Sequence, residues 1–146
     1  MVRIVKLGGS VITHKSGEPR VREEALARLS REVADAGRDI VVVHGAGSFG
    51  HPLAREANLA FGLLDEKAPA AAARVHADVR RLNLAVLEAL RVAGHSPMTF
   101  SPFGLYACSD GTPGGWNFVP LHRALTLGFT PVTHGDVVMD TSRGVT

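Results

Sequence analysis

Two short stretches of this 146-residue sequence set chemically competent side chains beside glycines. "KLGGS" places Lys6 just ahead of Gly8, Gly9 and Ser10, and Lys15 follows shortly after. "HGAGSFGH" places Gly45, Gly47 and Gly50 between His44 and His51. Glycines let a backbone approach a ligand, and successive N–H groups form an anion-binding concavity. Two such loops suit a transfer between two phosphate-bearing molecules. Lys6 and Lys15 would neutralise charge on the phosphoryl group in flight. An acceptor phosphate monoester is already nucleophilic, with a second pKa of about 6. It needs positioning and charge relief, which the imidazole of His51 would supply.

Other readings of the same residues carry less. The spacing G-x-G-x-x-G is also a dinucleotide-binding fingerprint, but that site needs a strand before it and an acidic residue closing a strand about 20 positions on. Here "HPLAREANLAFGLLDEK" follows, with Pro52 and Gly62 inside it, and Asp65 and Glu66 end no apolar run. The pattern G-x-x-x-x-G-K-[ST] is absent. A glycine pair after a strand also occurs as a plain tight turn, and Lys6 taken alone could be a rim lysine. His44, at a strand end, is expected to be structural. His14, His76, His95, His122 and His134 show no metal-ligand spacing, so no metal ligands are expected among them.

The elements that would hold these loops follow from the hydrophobic periodicity. A strand is expected over 3–7, a loop or helical turn over 11–20 with Lys15 and Gly17 in it, and a helix over 21–36 closed by Gly37. The β-branched run at 39–44 reads as a buried strand running into a glycine loop at 45–50. A long helix is expected over 70–93, with Val75, Val79, Leu82, Val86 and Leu90 on one face. Strands are expected at 97–100 and 130–134, with another at 137–139. The Gly-, Pro- and Ser-rich stretch 101–117 reads as a loop, and 119–127 as a short helix. Strands alternating with helices predict an α/β fold with a mainly parallel sheet covered on both faces. In such folds ligands sit beyond the carboxyl ends of the strands, where "KLGGS", "VHGAGSFGH" and "THGDV" all lie.

Composition narrows the function classes. Hydrophobic residues make up 45% and charged residues 21%, as in a globular protein with one real core. Lys and Arg number 16 against 14 Asp and Glu, and aromatics are 5% with no basic block, which argues against a nucleic-acid groove. No apolar run approaches the roughly 20 residues of a membrane span, and Lys6 interrupts what would be a signal peptide. The single cysteine, Cys108, fits a reducing cytoplasm and reads as a small buried residue rather than a reactive thiol.

"KLGGSVITHK", "HGAGSFGH", "VHADVRRLN" and "GFTPVTHGDVV" together resemble the amino acid kinase superfamily, and within it the isopentenyl phosphate kinases. The histidine closing the second glycine loop is the mark that separates these from the acetylglutamate, glutamate, aspartate and uridylate kinases. The resemblance implies a three-layer αβα sandwich. It implies phosphorylation of isopentenyl phosphate to isopentenyl diphosphate, with ATP and Mg²⁺, in an alternative mevalonate route of isoprenoid synthesis. It implies that Lys6 stabilises the phosphoryl group, that Gly8, Gly9 and Ser10 line the nucleotide phosphates, and that Lys15 touches the γ-phosphate. It further implies that Ala46 offers its backbone to the acceptor, that Gly47 faces ATP and that His51 holds the acceptor phosphate. A homodimer is a further implication.

The family pattern continues beyond "GDVV" with a Ser-Gly-Asp-Asp segment and a nucleotide-binding half that have no counterpart in this sequence. Asp136 and Asp140 do not match the missing aspartate, although Asp136 is placed to buttress the site. Residues 1–146 are therefore expected to be the acceptor-phosphate half, with little kinase activity by themselves. Two alternatives stand beside this expectation: a kinase for another small phosphate or phosphonate such as fosfomycin, and a phosphate-binding module without catalysis.

Overall fold

The computed structural model describes residues 1–16 and 18–146; the loop position expected of Gly17 lies outside them. The chain order is β1 (Arg3–Leu7), α1 (Gly9–Ile12), α2 (Glu23–Asp35), β2 (Ile40–His44), α3 (Gly47–Glu56) and a 3₁₀ turn (Leu59–Phe61). There follow α4 (Ala68–Val92), β3 (Pro97–Thr99), α5 (Pro102–Leu105), β4 (Ala107–Ser109) and β5 (Thr112–Gly114). The described chain closes with α6 (Val119–Thr126), β6 (Thr130–His134), β7 (Met139–Asp140) and β8 (Gly144–Val145).

The main sheet runs β1-β2-β6-β3, and every pair in it is parallel. Its register places Leu7 beside His44, and His44 beside His134. Three strands therefore end level, and the three polar loops leave from one edge. Val42 and Val132 of the strands join Leu26 and Val33 of α2 and Leu82, Val86 and Leu90 of α4 in one core. That is the apolar stripe expected of the long helix, now buried against the sheet. On β1 the cover is one-sided: Val5 and Leu7 pack into the core, while Ile4 and Lys6 point the other way and are exposed.

Helix α4 begins before the expected start because Asp65 caps it. Its Oδ1 accepts from the N–H groups of Lys67 (2.8 Å) and Ala68 (2.9 Å), and Pro69 then stands in the first turn, where a missing N–H costs nothing. Two expectations for loops are corrected. The glycine segment 45–50 is a loop only at Gly45 and Ala46, because α3 starts at Gly47. The stretch 101–117 contains α5 and the β4–β5 hairpin. Asp140, far away in sequence, ties that hairpin down. Its carboxylate accepts from the backbone N–H groups of Asp110, Gly111, Ser142 and Arg143, which hold its pKa at about 2. Cys108 on β4 is buried, in line with its expected role.

Candidate active site

The two glycine loops touch one another. A Cβ built on Gly9 would lie 2.4 Å from the backbone N of Gly47, and one on Gly45 would lie 2.8 Å from the N of Gly9. Gly47 adopts φ +53°, and a Cβ there would strike Oγ1 of Thr13 at 2.4 Å. These three glycines are therefore required by the fold itself, through close backbone approach and, at Gly47, a left-handed conformation. Gly50 serves packing as well: inside α3, its missing side chain admits Val79 of α4.

Gly8 is different. It has an ordinary extended conformation, φ −62° and ψ 133°, and a Cβ there would meet only Val11 at 3.5 Å. Nothing in the chain requires a glycine at this position, and the open space beside it is the groove.

Thr13 clamps the junction. It is buried, its Oγ1 donates to the Gly9 carbonyl at 2.7 Å, and the same oxygen accepts from the Ser48 N–H at 3.1 Å. One hydroxyl thus binds the turn after β1 to the first turn of α3. Nothing local in the sequence marks Thr13 as a clamp, because its second partner, Ser48, lies 35 residues away.

Between these loops lies a groove of about 510 Å³. Gly8, Gly9, Ser10 and Gly47 line it, and so do the cations Lys6 and Lys15 and the imidazole of His51. The sequence thus placed seven of its eight candidate residues on one surface. The eighth, Ala46, is not part of that lining; it is buried, leaving only backbone for any role there. Among the lining residues that were not anticipated, two bear on the chemistry. Arg55 stands one helical turn beyond His51 on α3 and joins Lys6 and Lys15 as a third cation. Ser48 has a buried Oγ with no hydrogen-bond partner among the described residues. A buried hydroxyl without a partner is costly unless a ligand satisfies it. No carboxylate is among the lining residues. The lining of the groove therefore carries only positive formal charge, from Lys6, Lys15 and Arg55.

Behind the groove, His44 is buried and fully engaged. Its Nε2 lies 3.1 Å from Asn83 Nδ2, and Asn83 Oδ1 accepts from the Thr99 hydroxyl at 2.5 Å. Asn83 must then donate to Nε2, which puts the proton on Nδ1, where it is donated to the Gly45 carbonyl at 3.1 Å. Burial outweighs the hydrogen bond to Gly45 and lowers the pKa of His44 from 6.5 to about 4. Asp136 is also placed here. Its buried carboxylate accepts from His76 Nδ1 at 2.9 Å and lies 3.9 Å from His134 Nδ1. Burial pushes Asp136 up and His134 down, each partly opposed by the other's charge.

The His44 geometry gives a signed pH dependence. Between pH 6.5 and about 4 the unfolded chain takes up the proton and the folded chain does not. Stability therefore falls on acidification across that window and levels off below it, by about 3 kcal/mol from this residue. Urea unfolding at pH 7 and pH 4, compared between wild type and His44→Asn, checks it. The wild type should lose more stability than the variant, and equal losses would contradict the assignment.

The amino acid kinase family matches residues 1–146. The chain belongs to the amino acid kinase family. Within that family it is similar to the isopentenyl phosphate kinase of Methanothermobacter thermautotrophicus, at 34% identity over 146 residues, covering 96% of this chain and 55% of that protein. The corresponding enzyme of Thermoplasma acidophilum is 36% identical over 137 residues, covering 92% of this chain and 52% of that one. A solved isopentenyl phosphate kinase structure superimposes with a TM-score of 0.94 at 32% identity, over 100% of this chain and 62% of that one. The α/β fold with its parallel sheet is thus the amino acid kinase fold. The chain spans about half the length of the curated relatives it matches.

Proposed function

We propose that this chain supplies the acceptor side of an ATP-dependent phosphoryl transfer to isopentenyl phosphate, giving isopentenyl diphosphate. The observation that carries the reading is His51, an imidazole on the wall of an anion groove that otherwise offers lysines, arginine, hydroxyls and backbone. An amino acid kinase acting on a carboxylate has less acceptor charge to relieve with this donor. One acting on a phosphate monoester gains both a hydrogen bond and charge relief from it. The named relatives add support, since they are isopentenyl phosphate kinases.

Each residue then has a physical task. Lys6 and Lys15 offset charge on the phosphoryl group as it passes between nucleotide and acceptor. Gly8 leaves room for a phosphate to reach the N–H groups at the start of α1, and Ser10 and Gly47 flank the nucleotide phosphates. Ser48 Oγ donates to a phosphate oxygen. His51 holds the acceptor phosphate, whose own oxygen attacks the γ-phosphorus while the β–γ bridging bond breaks and ADP leaves. Mg²⁺ would arrive with ATP; the groove lining has no carboxylate suited to hold it, and no step here runs through the metal.

Calorimetric titration with isopentenyl phosphate, dimethylallyl phosphate and fosfomycin tests the acceptor. The two isoprenoid phosphates should bind at least tenfold more tightly than fosfomycin. Tighter binding of fosfomycin would move the protein to phosphonate chemistry, and no binding of any of the three would overturn the reading.

A further inference from the structure

One cation of the groove has no task in the transfer: Arg55. On α2 and α4, Arg28, Arg74, Arg81 and Arg91 each meet a carboxylate three or four residues away on the same helix. That is the ordinary use of an exposed helical arginine. The sequence denies it to Arg55. Three and four positions away stand Pro52 and His51 on one side and Asn58 and Leu59 on the other. Glu56 is the next residue along and so projects from a different side of α3. Among the described residues Arg55 makes no ion pair. Its place in the last turn of α3 suits the negative end of the helix dipole, but that interaction would be met by any cation and needs no groove.

Its geometry points elsewhere. A helical side chain leans toward the N-terminus and covers the turn before its own Cα. For Arg55 that is the turn of His51, and both residues line the groove. Next to the groove a second cavity, of about 280 Å³, is walled by Ala54, Asn58, Ala60 and Phe61. His51 and Arg55 are the two residues common to both linings. Lys6, Gly8, Ser10 and Lys15 line the groove but not the second cavity. Arg55 thus stands with His51 at one end of the groove, set apart from the residues given to the nucleotide phosphates.

The chemistry at that end is short of charge without it. A phosphate monoester carries between one and two negative charges at neutral pH, approaching two above it. An imidazole donates a hydrogen bond but loses its charge as the pH rises through neutrality. A guanidinium stays charged, and its forked N–H groups match a pair of phosphate oxygens.

We infer that Arg55 is a second acceptor-binding residue, whose guanidinium pairs with the phosphate monoester beside His51 and supplies a charge that the imidazole does not hold. This rests on the reading of the groove as a phosphate site.

The Arg55 side-chain Nε–H resonance, followed by ¹⁵N NMR, tests it directly. Isopentenyl phosphate should shift that resonance together with the amides of Gly9 and Ser10, whereas ATP should leave it in place. By calorimetry, Arg55→Gln should raise the Kd for isopentenyl phosphate about tenfold, the equivalent of one hydrogen bond to a charged group, and change that for ATP by no more than about twofold. Arg55→Lys keeps the charge without the fork and should fall between wild type and Arg55→Gln. Arg55 is exposed, so the melting temperature of both variants should hold. If Gly9 and Ser10 respond while the Arg55 Nε–H stays still, or if Arg55→Gln binds the acceptor as tightly as wild type, the inference fails and the groove reading survives. Equal losses for acceptor and ATP would make Arg55 a general charge and overturn it too. If nothing in the wild type responds to isopentenyl phosphate, the groove reading fails and takes the inference with it.

Discussion

Gly9→Ala is expected to cost about 3 kcal/mol or more, lowering the melting temperature by roughly 10 °C. The new Cβ would sit 2.4 Å from the Gly47 nitrogen and 2.6 Å from its Cα. Both are backbone atoms at the start of a helix that packs on α4, so neither can swing aside as a flexible side chain would. Relief requires the α1 turn and α3 to separate, which also breaks the Thr13 clamp. Gly8→Ala is the matched control. Its backbone suits alanine and its surroundings are open, so stability should stay within about 0.5 kcal/mol, with a slight gain possible from the stiffer unfolded chain. Its cost should fall on ligand binding, because the methyl group would project into the groove. Urea melts of both variants, with acceptor titrations of Gly8→Ala, check the pair. A Gly9→Ala protein as stable as wild type would show that the two loops do not meet as described.

The second large effect is expected at His51. His51→Ala should weaken isopentenyl phosphate binding about 10- to 100-fold, the range for losing one hydrogen bond to a charged group. ATP affinity should change far less. The side chain is exposed on α3 and its loss removes no packing, so the melting temperature should hold. Calorimetry with each ligand separates these effects. Equal losses for acceptor and nucleotide would mean that His51 contributes general positive charge rather than acceptor recognition. Unchanged acceptor affinity would remove it from the site.

The contrast between the glycines shows what a sequence pattern carries and what it hides. The pairing of "KLGGS" with "HGAGSFGH" was enough to locate the groove, because parallel strands of equal register must release their loops on one edge. It was not enough to tell which glycines face a ligand. Gly9, Gly45 and Gly47 line the groove and are also required for loop-to-loop contact, a double duty that the pattern alone does not show. Thr13 was invisible for a related reason: one of its two hydrogen bonds is local, to Gly9, but the one that clamps the loops comes from Ser48, 35 positions on. Ser48 lies in the segment that read as a glycine loop and Arg55 in the mixed stretch after it, and the groove positions of both follow from α3 being helical.

Elements with strong local periodicity were legible. Strand β6 spans Thr130–His134 as expected, and the stripe of α4 from Val75 to Leu90 is buried as expected. The β4–β5 hairpin was not legible. Its residues are short of β-branched side chains, and Asp140 holds its turn from about 30 positions away. His44 was expected to be structural, and so it is: its ring is buried and bonded to Gly45 and Asn83.

The most direct test of the account is to map where isopentenyl phosphate binds. Chemical-shift changes on titration should cluster on Gly8, Gly9, Ser10, Gly47, Ser48 and His51, the residues that join the two glycine loops around one groove. A second cavity, of about 310 Å³, opens at the other end of the sheet beside His95 and Thr130. Changes centred there, with the glycine loops unmoved, would contradict the account.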